Sequence, residues 1–438
     1  MGNNIRYHRA VALLVVLLAV TMADAQPVLD KIRADRYYAA TNYCVYACPD
    51  SGYRQTPAPA GKHPFYISHY GRHGSRYLSS KKAYVNPYRI LTKAFKEQRL
   101  TPLGEQVRQQ LADIIRDSHE RWGDLSELGR TQHRDIARRM MRNYPEVFSG
   151  KAHIQARSTT VNRCALSMAS ALQQLLSMNP QLDIDMDASH ADMWYMNFQD
   201  KLLRDSMMTR RASCALNAFS LPRTNTRRLI EMLFADTTSV GKQDDMMLMY
   251  YLMKAALAQQ NTRMSGKVTL LDLFTTEDIY HYWQRENAWW YICYGPSLLN
   301  GGNEPYTQRN LLRRLIADAD SCLTLERPGA QLRYGHDTIV LPLCCLLGLN
   351  GYDFQTDNLE EVESHGWWAS DIIPMGANLQ FVFYRASPQD DDVVFIVLLN
   401  EKEARLPLPT DIAPYYHWRD FRSFYLKKLD AYSAKLSR

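Results

Sequence analysis

Short runs of apolar and aromatic residues that end at polar turns recur along the chain and predict buried strands. Five runs of this kind occur, at residues 64–70, 152–156, 332–335, 379–384 and 393–399. The first lies behind a proline and ends where the chain turns at Gly71 and Gly74. The last two are rich in β-branched and aromatic residues and are separated by a polar turn, which is typical of consecutive sheet strands.

Between these runs, apolar residues recur at the spacing of amphipathic helices. We expect helices at 87–97, 104–118, 164–176 and 338–347, and a further one that Ser126 caps and Pro145 ends. Strands and helices therefore alternate. This pattern predicts an α/β fold with a mainly parallel sheet and helices on both of its faces.

The sequence pattern of residues 178–325 differs from that of the rest of the chain, because it has many helix-forming runs and few signals for strands. The simplest interpretation is an all-helical cap domain inserted into an α/β core that comprises residues 26–177 and 326–438. Residues 26–62 show no clear periodicity and predict an irregular segment that packs on this core.

The turn after the first strand carries residues with the chemistry of phosphate binding. Arg72, His73 and Arg76 follow that strand, and side chains at the carboxyl end of a strand in an open α/β sheet project into the ligand crevice. Guanidinium groups offer forked donors that match phosphate oxygens, and a histidine among them can be the nucleophile that takes the phosphoryl group. A basic loop with a surface histidine is the alternative that this motif alone leaves open.

Two later stretches strengthen the phosphate hypothesis. Arg163 lies near the start of the helix that follows the second strand, where backbone N–H groups favour an anion. Arg157, at the end of that strand, either touches the phosphate from behind or anchors its loop. The run Gly335-His336-Asp337 follows the third strand and adds a second histidine and a carboxylate.

Together, these motifs resemble those of the histidine phosphatase superfamily, in its acid phosphatase and phytase branch. The resemblance rests on stretches in the family's order at 72–76, 157–163, 335–337 and 374–378. Residues 123–129 also resemble the segment that precedes a long helix in the multiple inositol polyphosphate phosphatase subgroup. The resemblance covers nearly all of the chain that follows the N-terminal 25 residues.

The resemblance implies a role for each candidate residue. His73 is the nucleophile and forms a phosphohistidine, and Asp337 protonates the departing alkoxide. The phosphate is held by a set of cationic and imidazole groups, Arg72, Arg76, Arg163 and His336. The arginines neutralise charge that metal ions carry in other phosphatases, so no metal or other cofactor is required. A helical domain is expected over the catalytic face, on the leaving-group side.

One motif departs from the inositol polyphosphate phosphatase subgroup. That subgroup commonly carries His-Ala-Glu at the proton-donor position, whereas this chain has His336-Asp337-Thr338, as acid phosphatases and fungal-type phytases do. The departure leaves the subgroup, and with it the substrate preference, open.

The first 25 residues have the pattern of a secretory signal peptide. A short basic region is followed by the apolar run 10–20 and by the small-residue site Ala23-Asp24-Ala25. The apolar run is too short to span a bilayer. We therefore expect an exported protein, periplasmic or extracellular, with no stable membrane insertion after cleavage.

The net charge and the cysteines indicate which partners and which disulfides to expect. The net charge of +6 permits an acidic small-molecule substrate, and no dense basic run with interleaved aromatics predicts binding of nucleic acid. An exported chain with eight cysteines can form disulfides, and Cys44 and Cys48 are the candidate pair. Cys344 and Cys345 lie in an apolar run and fit the behaviour of small hydrophobic residues.

The sequence therefore predicts an exported, metal-independent phosphomonoesterase that acts on phytate or other inositol polyphosphates. A general or sugar-phosphate acid phosphatase is the alternative within the enzyme class. An inactive anion-binding module is the alternative outside it, although a binding protein would need neither the nucleophile His73 nor the acid Asp337. The oligomeric state is left open.

Overall fold

The computed structural model describes residues 27–49, 52–198 and 200–436, apart from the side chain of Ser239. The predicted signal peptide, residues 1–25, lies outside these ranges. Eight strands occur in the described part: β1 His63–Arg72, β2 His153–Ser158, β3 Asp183–Asp187, β4 Gly329–Gly335, β5 Asn378–Arg385, β6 Val394–Leu399, β7 Lys402–Glu403 and β8 Tyr416–His417. They form one sheet in the order β3-β2-β4-β1-β5-β6-β7, with β8 paired to β6.

The sheet has a parallel half that carries the candidate motifs and an antiparallel half beside it. Strands β3, β2, β4 and β1 all run parallel to their neighbours, and β1 pairs with β5 in the antiparallel sense. β5 and β6 form an antiparallel hairpin because a short turn joins them. The predicted α/β class with a central sheet is confirmed.

Sixteen α-helices accompany the sheet in the described residues. The first eight are α1 Pro27–Ala34, α2 Lys82–Lys96, α3 Pro102–Asp117, α4 Glu127–Asn143, α5 Asn162–Met178, α6 Met193–Met196, α7 Lys201–Ser206 and α8 Arg210–Ser220. The second eight are α9 Arg227–Leu233, α10 Lys242–Ala258, α11 Thr276–Tyr294, α12 Arg309–Leu323, α13 Asp337–Leu347, α14 Glu360–Ser364, α15 Ala369–Ile372 and α16 Trp418–Leu436. None of them combines the length and apolarity needed to span a bilayer.

Helices cover both faces of the sheet, as predicted. Successive side chains of a strand point to opposite faces, and Tyr66 and Tyr70 of β1 accordingly join one apolar cluster while Ile67 joins another. The first cluster contains buried residues of α11, α12, α13 and α16, and the second contains those of α4 and α5. Burial on both faces explains why β1 appears in the sequence as a nearly continuous apolar run.

Almost all residues of a third apolar cluster come from helices. It joins α1, α2 and α3 to α9, α10 and the first turns of α11. The stretch 178–325 is not wholly helical, because β3 lies within it and extends the sheet by pairing with β2. The division into a core and an inserted cap stays a prediction.

The N-terminal segment is more regular than the sequence suggests. Residues 26–62 were expected to be irregular, but they contain α1 and a 3₁₀ helix at Arg36–Tyr43. Asp35 caps the 3₁₀ helix by accepting from the backbone N–H of Tyr37 at 2.9 Å. Both helices are too short to give a clear periodicity, so their burial against α10 and α11 decides their structure.

The predicted disulfide between Cys44 and Cys48 is absent, and all eight cysteines are free thiols. The Cys44 side chain is buried, with its thiol 3.1 Å from the carbonyl oxygen of Tyr38, whereas Cys48 is exposed. The two side chains therefore lie in different environments. Cys344 and Cys345 are buried within α13 and behave as the small hydrophobic residues that the sequence indicates.

Candidate active site

The two main motifs meet because their strands are neighbours in the sheet. β1 and β4 pair in parallel with Arg72 opposite Gly335, and the backbone N–H of His73 donates to the carbonyl oxygen of Gly335 at 2.9 Å. Parallel neighbours end at the same edge of a sheet, so the residues that follow them lie together. The rings of His73 and His336 are accordingly 5.8 Å apart, centroid to centroid.

The segment 123–129 supports the loop that follows β1. A Cβ atom on Gly74 would lie 2.4 Å from the carbonyl oxygen of Gly129, so only glycine allows the loop to approach α4 this closely. The carbonyl oxygen of Ser75 accepts from both the backbone N–H and the hydroxyl of Ser126, at 2.9 and 3.0 Å. The helix start predicted from Ser126 therefore also fixes the backbone of the candidate site.

His73 is held as a neutral imidazole with one defined tautomer. Its Nδ1 lies 2.9 Å from the carbonyl oxygen of Gly74. A carbonyl oxygen can only accept, so the hydrogen bond assigns the proton to Nδ1 and leaves the lone pair on Nε2. Burial, together with the positive charges of Arg72, Arg76 and Arg163, lowers the pKa of His73 well below its usual value.

Arg72 is fully buried and is held from three sides. Its Nη1 donates to the carbonyl oxygens of Asn42 and Ile373, and its Nη2 lies 2.8 Å from Oδ2 of Asp337. Burial lowers the pKa of Arg72 to about 10, although Asp337 opposes this shift. Its Nε has no hydrogen-bond partner among the described residues, so a donor remains for an anion.

Two further arginines surround His73. Arg76 donates from Nη1 to the hydroxyl of Tyr43 at 2.8 Å and to the carbonyl oxygen of Tyr77 at 2.9 Å, and its Nε has no partner among the described residues. Arg163, near the start of α5, is mostly buried, and its Nε likewise has no partner among them. Burial and the charge of Arg76 lower the pKa of Arg163.

His336 is a second neutral histidine at this site. Its Nε2 lies 3.2 Å from the hydroxyl oxygen of Thr159, which belongs to the loop between β2 and α5. Burial and the charge of Arg163 lower the pKa of His336 to about 4. At neutral pH this ring is therefore an uncharged hydrogen-bonding group.

Asp337 begins α13 and is buried beside Arg72. Its Oδ2 accepts from the side-chain amide of Asn42 at 2.8 Å, and its Oδ1 accepts from the backbone N–H of Thr338 at 2.9 Å. Burial alone would raise the pKa of Asp337, but Arg72, Arg76 and the hydrogen bond from Asn42 lower it to about 2. The carboxyl group is therefore ionised when no anion neutralises the arginines.

Arg157 is not brought into this cluster. Its Nη2 lies 2.6 Å from Oδ2 of Asp185 on β3, and its Nη1 donates to the carbonyl oxygens of Ala156 and Asp185. These contacts tie the end of β2 to the edge strand. Of the two roles considered for Arg157, the geometry fits the anchoring of the loop.

The sequence does not predict that three further residues contact this cluster. Asn42 and Tyr43 belong to the N-terminal 3₁₀ helix. Asn42 contacts Asp337, about 300 residues later in the chain, and Tyr43 contacts Arg76, about 30 residues later. Thr159 lies inside a recognised motif, but only the fold shows that it contacts His336. An isolated Asn or Tyr in an aperiodic segment carries no signal of such a contact.

The part of the chain that the structure describes contains no candidate metal centre. Within the described ranges, no group of three or more His, Cys, Asp or Glu residues is arranged to hold a metal ion. Two other buried histidines, His69 and His133, are neutral because burial lowers their pKa values to about 3 and about 4. They lie beneath the site, and both pack against Tyr334 in the sheet.

Solved structures with the same fold include enzymes that act on inositol phosphates. The multiple inositol polyphosphate phosphatase of Bifidobacterium longum, in complex with inositol hexasulfate, is 16% identical with a TM-score of 0.76 over 89% of this chain and 97% of that chain. The phytase of D. castellii is 14% identical with a TM-score of 0.62 over 90% of this chain and 85% of that chain. Hafnia alvei phytase, in complex with myo-inositol hexakis sulphate, is 12% identical with a TM-score of 0.52, over 84% and 98% of the two chains.

The family is shown by the sequence itself. No curated protein sequence matches the chain. The family model described as histidine phosphatase superfamily (branch 2) matches residues 71–400, well over half of the chain, and this range holds every site residue except Asn42 and Tyr43. The chain therefore belongs to the histidine phosphatase superfamily, branch 2, and is an enzyme of the histidine acid phosphatase type.

Proposed function

We propose that this enzyme is an exported, metal-independent phosphomonoesterase, that His73 is its nucleophile, and that inositol polyphosphates are its substrates. The observation that carries the chemistry is the hydrogen bond between Nδ1 of His73 and the carbonyl oxygen of Gly74. It orients the ring and reserves the Nε2 lone pair for attack. The groups around His73 supply the other functions that phosphoryl transfer needs.

In the first half-reaction, the Nε2 lone pair of His73 attacks phosphorus, and the bond between phosphorus and the ester oxygen breaks. The leaving oxygen takes a proton from the carboxyl group of Asp337, and a phosphohistidine remains. Arg72, Arg76 and Arg163 stabilise the negative charge on the non-bridging oxygens of the transferring group. His336, which is neutral and close to His73, donates a further hydrogen bond to that group.

In the second half-reaction, water replaces the leaving alcohol. The Asp337 carboxylate accepts a proton from the water, whose oxygen attacks phosphorus as the bond between phosphorus and Nε2 breaks. Orthophosphate leaves, and the lone pair returns to Nε2 of His73. Asp337 stays protonated while orthophosphate occupies the arginines, loses that proton to solvent when orthophosphate departs, and takes up a proton again when the next substrate binds.

The ionised state of Asp337 in the free enzyme fits this cycle. The two arginines beside it keep its pKa near 2, and a phosphate dianion placed on those arginines weakens their effect. Substrate binding therefore raises the pKa of Asp337 and favours the protonated acid. A leaving group that needs a proton should consequently be released faster at acidic than at alkaline pH.

Metal independence is proposed on the basis of charge. Three arginines converge on His73, and Nε of each has no partner among the described residues. Donors of this kind neutralise the charge that a metal ion would otherwise carry in phosphoryl transfer.

The choice of substrate is supported by the relatives in which the same fold occurs. One is named a multiple inositol polyphosphate phosphatase and binds inositol hexasulfate, and others are named phytases. The run His336-Asp337-Thr338 favours the second candidate, a general or sugar-phosphate acid phosphatase, because that run resembles acid phosphatases as well as fungal-type phytases. Export rests on the signal-peptide pattern of residues 1–25.

A substrate panel tests the proposal. The purified enzyme, with and without EDTA, is given phytate, glucose 1-phosphate and p-nitrophenyl phosphate over acidic to neutral pH. We expect EDTA-resistant turnover and stepwise release of phosphate from phytate. A kcat/KM for glucose 1-phosphate far above that for phytate would reject the inositol phosphate assignment, and loss of all turnover in EDTA would reject metal independence.

A further inference from the structure

A small cavity lies beside the first turn of α13, the helix that begins at Asp337. Thr338 and Ile339 line it from α13, and a 3₁₀ helix at Glu304–Gln308, which packs against α13, contributes further lining residues. The cavity has a volume of about 80 Å³, which is more than a single water molecule occupies. Because Thr338 directly follows the residue that we assign as the proton donor, this cavity adjoins the leaving-group side of the candidate site.

Two buried acceptors that belong to this cavity have no donor. Glu304 and Gln308 both line it, and they are 3% and 1% exposed. Oε1 of each side chain has no hydrogen-bond partner among the described residues. A buried acceptor without a partner carries a free-energy penalty, so native structures normally pair such an atom with a protein group, a ligand or water. The cavity therefore fits a group that brings a proton.

The orientation of the Gln308 amide is fixed by its neighbour Thr307. The hydroxyl of Thr307 donates to the backbone carbonyl oxygen of Glu304 at 2.7 Å, which uses its only proton. The Thr307 oxygen can therefore only accept from Gln308, whose Nε2 lies 3.1 Å from it. This chain of bonds assigns Nε2 as the donor and leaves Oε1 as the free acceptor.

The groups around the cavity fit a neutral hydroxyl better than a phosphate. Burial together with Asp200 raises the pKa of Glu304 to about 8, so at neutral pH its carboxyl group can both donate and accept, as a hydroxyl does. A phosphate dianion has no proton for Oε1 of Gln308 and would lie near the carboxylate of Asp200, which already pairs with Arg309 at 2.8 Å. Arg204 also lines the cavity, but it is exposed and water screens its charge.

We propose that Glu304 and Gln308 form a leaving-group subsite that binds a hydroxyl of the departing alcohol. The subsite rests on the proposed function and narrows its substrate class to phosphate esters of polyols that carry a free hydroxyl. Each phosphate that the enzyme removes from an inositol ring creates such a hydroxyl. Partly dephosphorylated inositols therefore gain an interaction that phytate lacks, since every ring hydroxyl of phytate is esterified.

A pair of monophosphates isolates the hydroxyl contact. myo-Inositol 1-phosphate and cyclohexyl phosphate share a six-membered carbon ring and a secondary ester, but only the first carries hydroxyl groups. We expect Glu304→Met and Gln308→Met each to lower kcat/KM for myo-inositol 1-phosphate by about fivefold or more, because a hydrogen bond to the hydroxyl is lost. The value for cyclohexyl phosphate should change by less than about twofold. Glu304→Gln keeps a donor and an acceptor and should retain most of the activity on both.

Binding to folded His73→Ala provides a second measurement that needs no turnover. In that background, isothermal titration should show a weaker affinity for myo-inositol 1-phosphate after Glu304→Met and an unchanged affinity for cyclohexyl phosphate. The matched control Glu277→Met removes an exposed glutamate from the start of α11 and should change neither.

The outcomes separate the subsite from the proposed function. Equal losses for the two monophosphates, no loss for either, or the same loss in Glu277→Met would overturn the subsite. An enzyme that hydrolyses neither monophosphate would count against the proposed function, and the titrations would then decide the subsite.

Discussion

The side-chain amide of Asn42 donates to Oδ2 of Asp337 at 2.8 Å, which joins the N-terminal segment to the start of α13. This bond favours the ionised carboxylate and is one of the reasons why the pKa of Asp337 lies near 2. The N-terminal segment thus tunes the residue that we assign as the proton donor, although it lies outside the range that the family model matches.

Asn42→Ala should raise the pKa of Asp337. A hydrogen bond to a charged group contributes about 1.5–3 kcal/mol, and one pKa unit corresponds to about 1.4 kcal/mol, so a rise of about one to two units is expected. The alkaline limb of kcat for an alkyl phosphate, which reports an acid that must be protonated, should move to higher pH by a similar amount. With p-nitrophenyl phosphate, whose leaving group needs no proton, that limb should stay in place. An unmoved limb for both substrates would contradict the assigned link.

Asp337→Asn should separate good leaving groups from poor ones. Removal of the acid should slow an alkyl phosphate by on the order of 10²-fold or more, because the departing alkoxide must be protonated. Nitrophenolate leaves without a proton, so p-nitrophenyl phosphate should lose much less. Equal losses in kcat/KM, which reports the first half-reaction and so leaves out the base role that both substrates share, would show that Asp337 only positions the site.

Lys81 and Lys82 provide a test of long-range attraction for a polyanion. Both are exposed and lie just beyond the catalytic loop, at the start of α2. The double variant Lys81→Ala/Lys82→Ala should lower kcat/KM for phytate several-fold more than kcat/KM for p-nitrophenyl phosphate. The difference should shrink in high salt, since exposed charges are screened over roughly 8 Å at physiological ionic strength. A loss that salt does not reduce would argue against an electrostatic cause.

Glu304 should make the stability of the fold depend on pH. Its side chain is 3% exposed, Oε1 has no partner among the described residues, and burial together with Asp200 raises its pKa from 4.5 to about 8. Between these two values the folded protein holds a proton that the unfolded chain has lost, so stability falls as pH rises. The loss attributable to Glu304 is on the order of a few kcal/mol.

Glu304→Gln removes this titration. Urea unfolding near pH 5 and near pH 8.5 should show a larger loss of unfolding free energy in the wild type than in the variant. Glutamine is neutral and close in shape to protonated glutamate, so the two proteins should be most similar at the lower pH. Parallel loss in both proteins would mean that Glu304 does not titrate in this interval.

The sequence predicts the parts of the site that follow strands and misses those that depend on distant packing. Arg72, His73 and Asp337 lie close behind apolar runs, so the strand pattern places each at the carboxyl end of a strand, and the parallel pairing of β1 with β4 brings these ends to one edge of the sheet. Asn42 and Tyr43 reach the same edge only because a short 3₁₀ helix is buried against α10, α11 and α15. No local pattern encodes that contact.

Two other differences have a similar cause. The edge strand Asp183–Asp187 is mostly acidic and exposed, so it lacks the apolar run by which the other strands were predicted. The spacing of Cys44 and Cys48 permits a disulfide, but the direction in which each side chain points is set by tertiary packing. In each case the deciding interaction joins residues that are far apart in the chain.

In the proposed mechanism, the phosphoryl group passes through Nε2 of His73. The direct measurement is a rapid quench during turnover under alkaline conditions, followed by peptide mass spectrometry at neutral to alkaline pH, where phosphohistidine survives. We predict an acid-labile phosphoryl group on Nε2 of His73 that is absent from folded His73→Ala, which should also lack turnover. Substantial turnover by that variant, or a phosphoryl group trapped on a different residue, would contradict it.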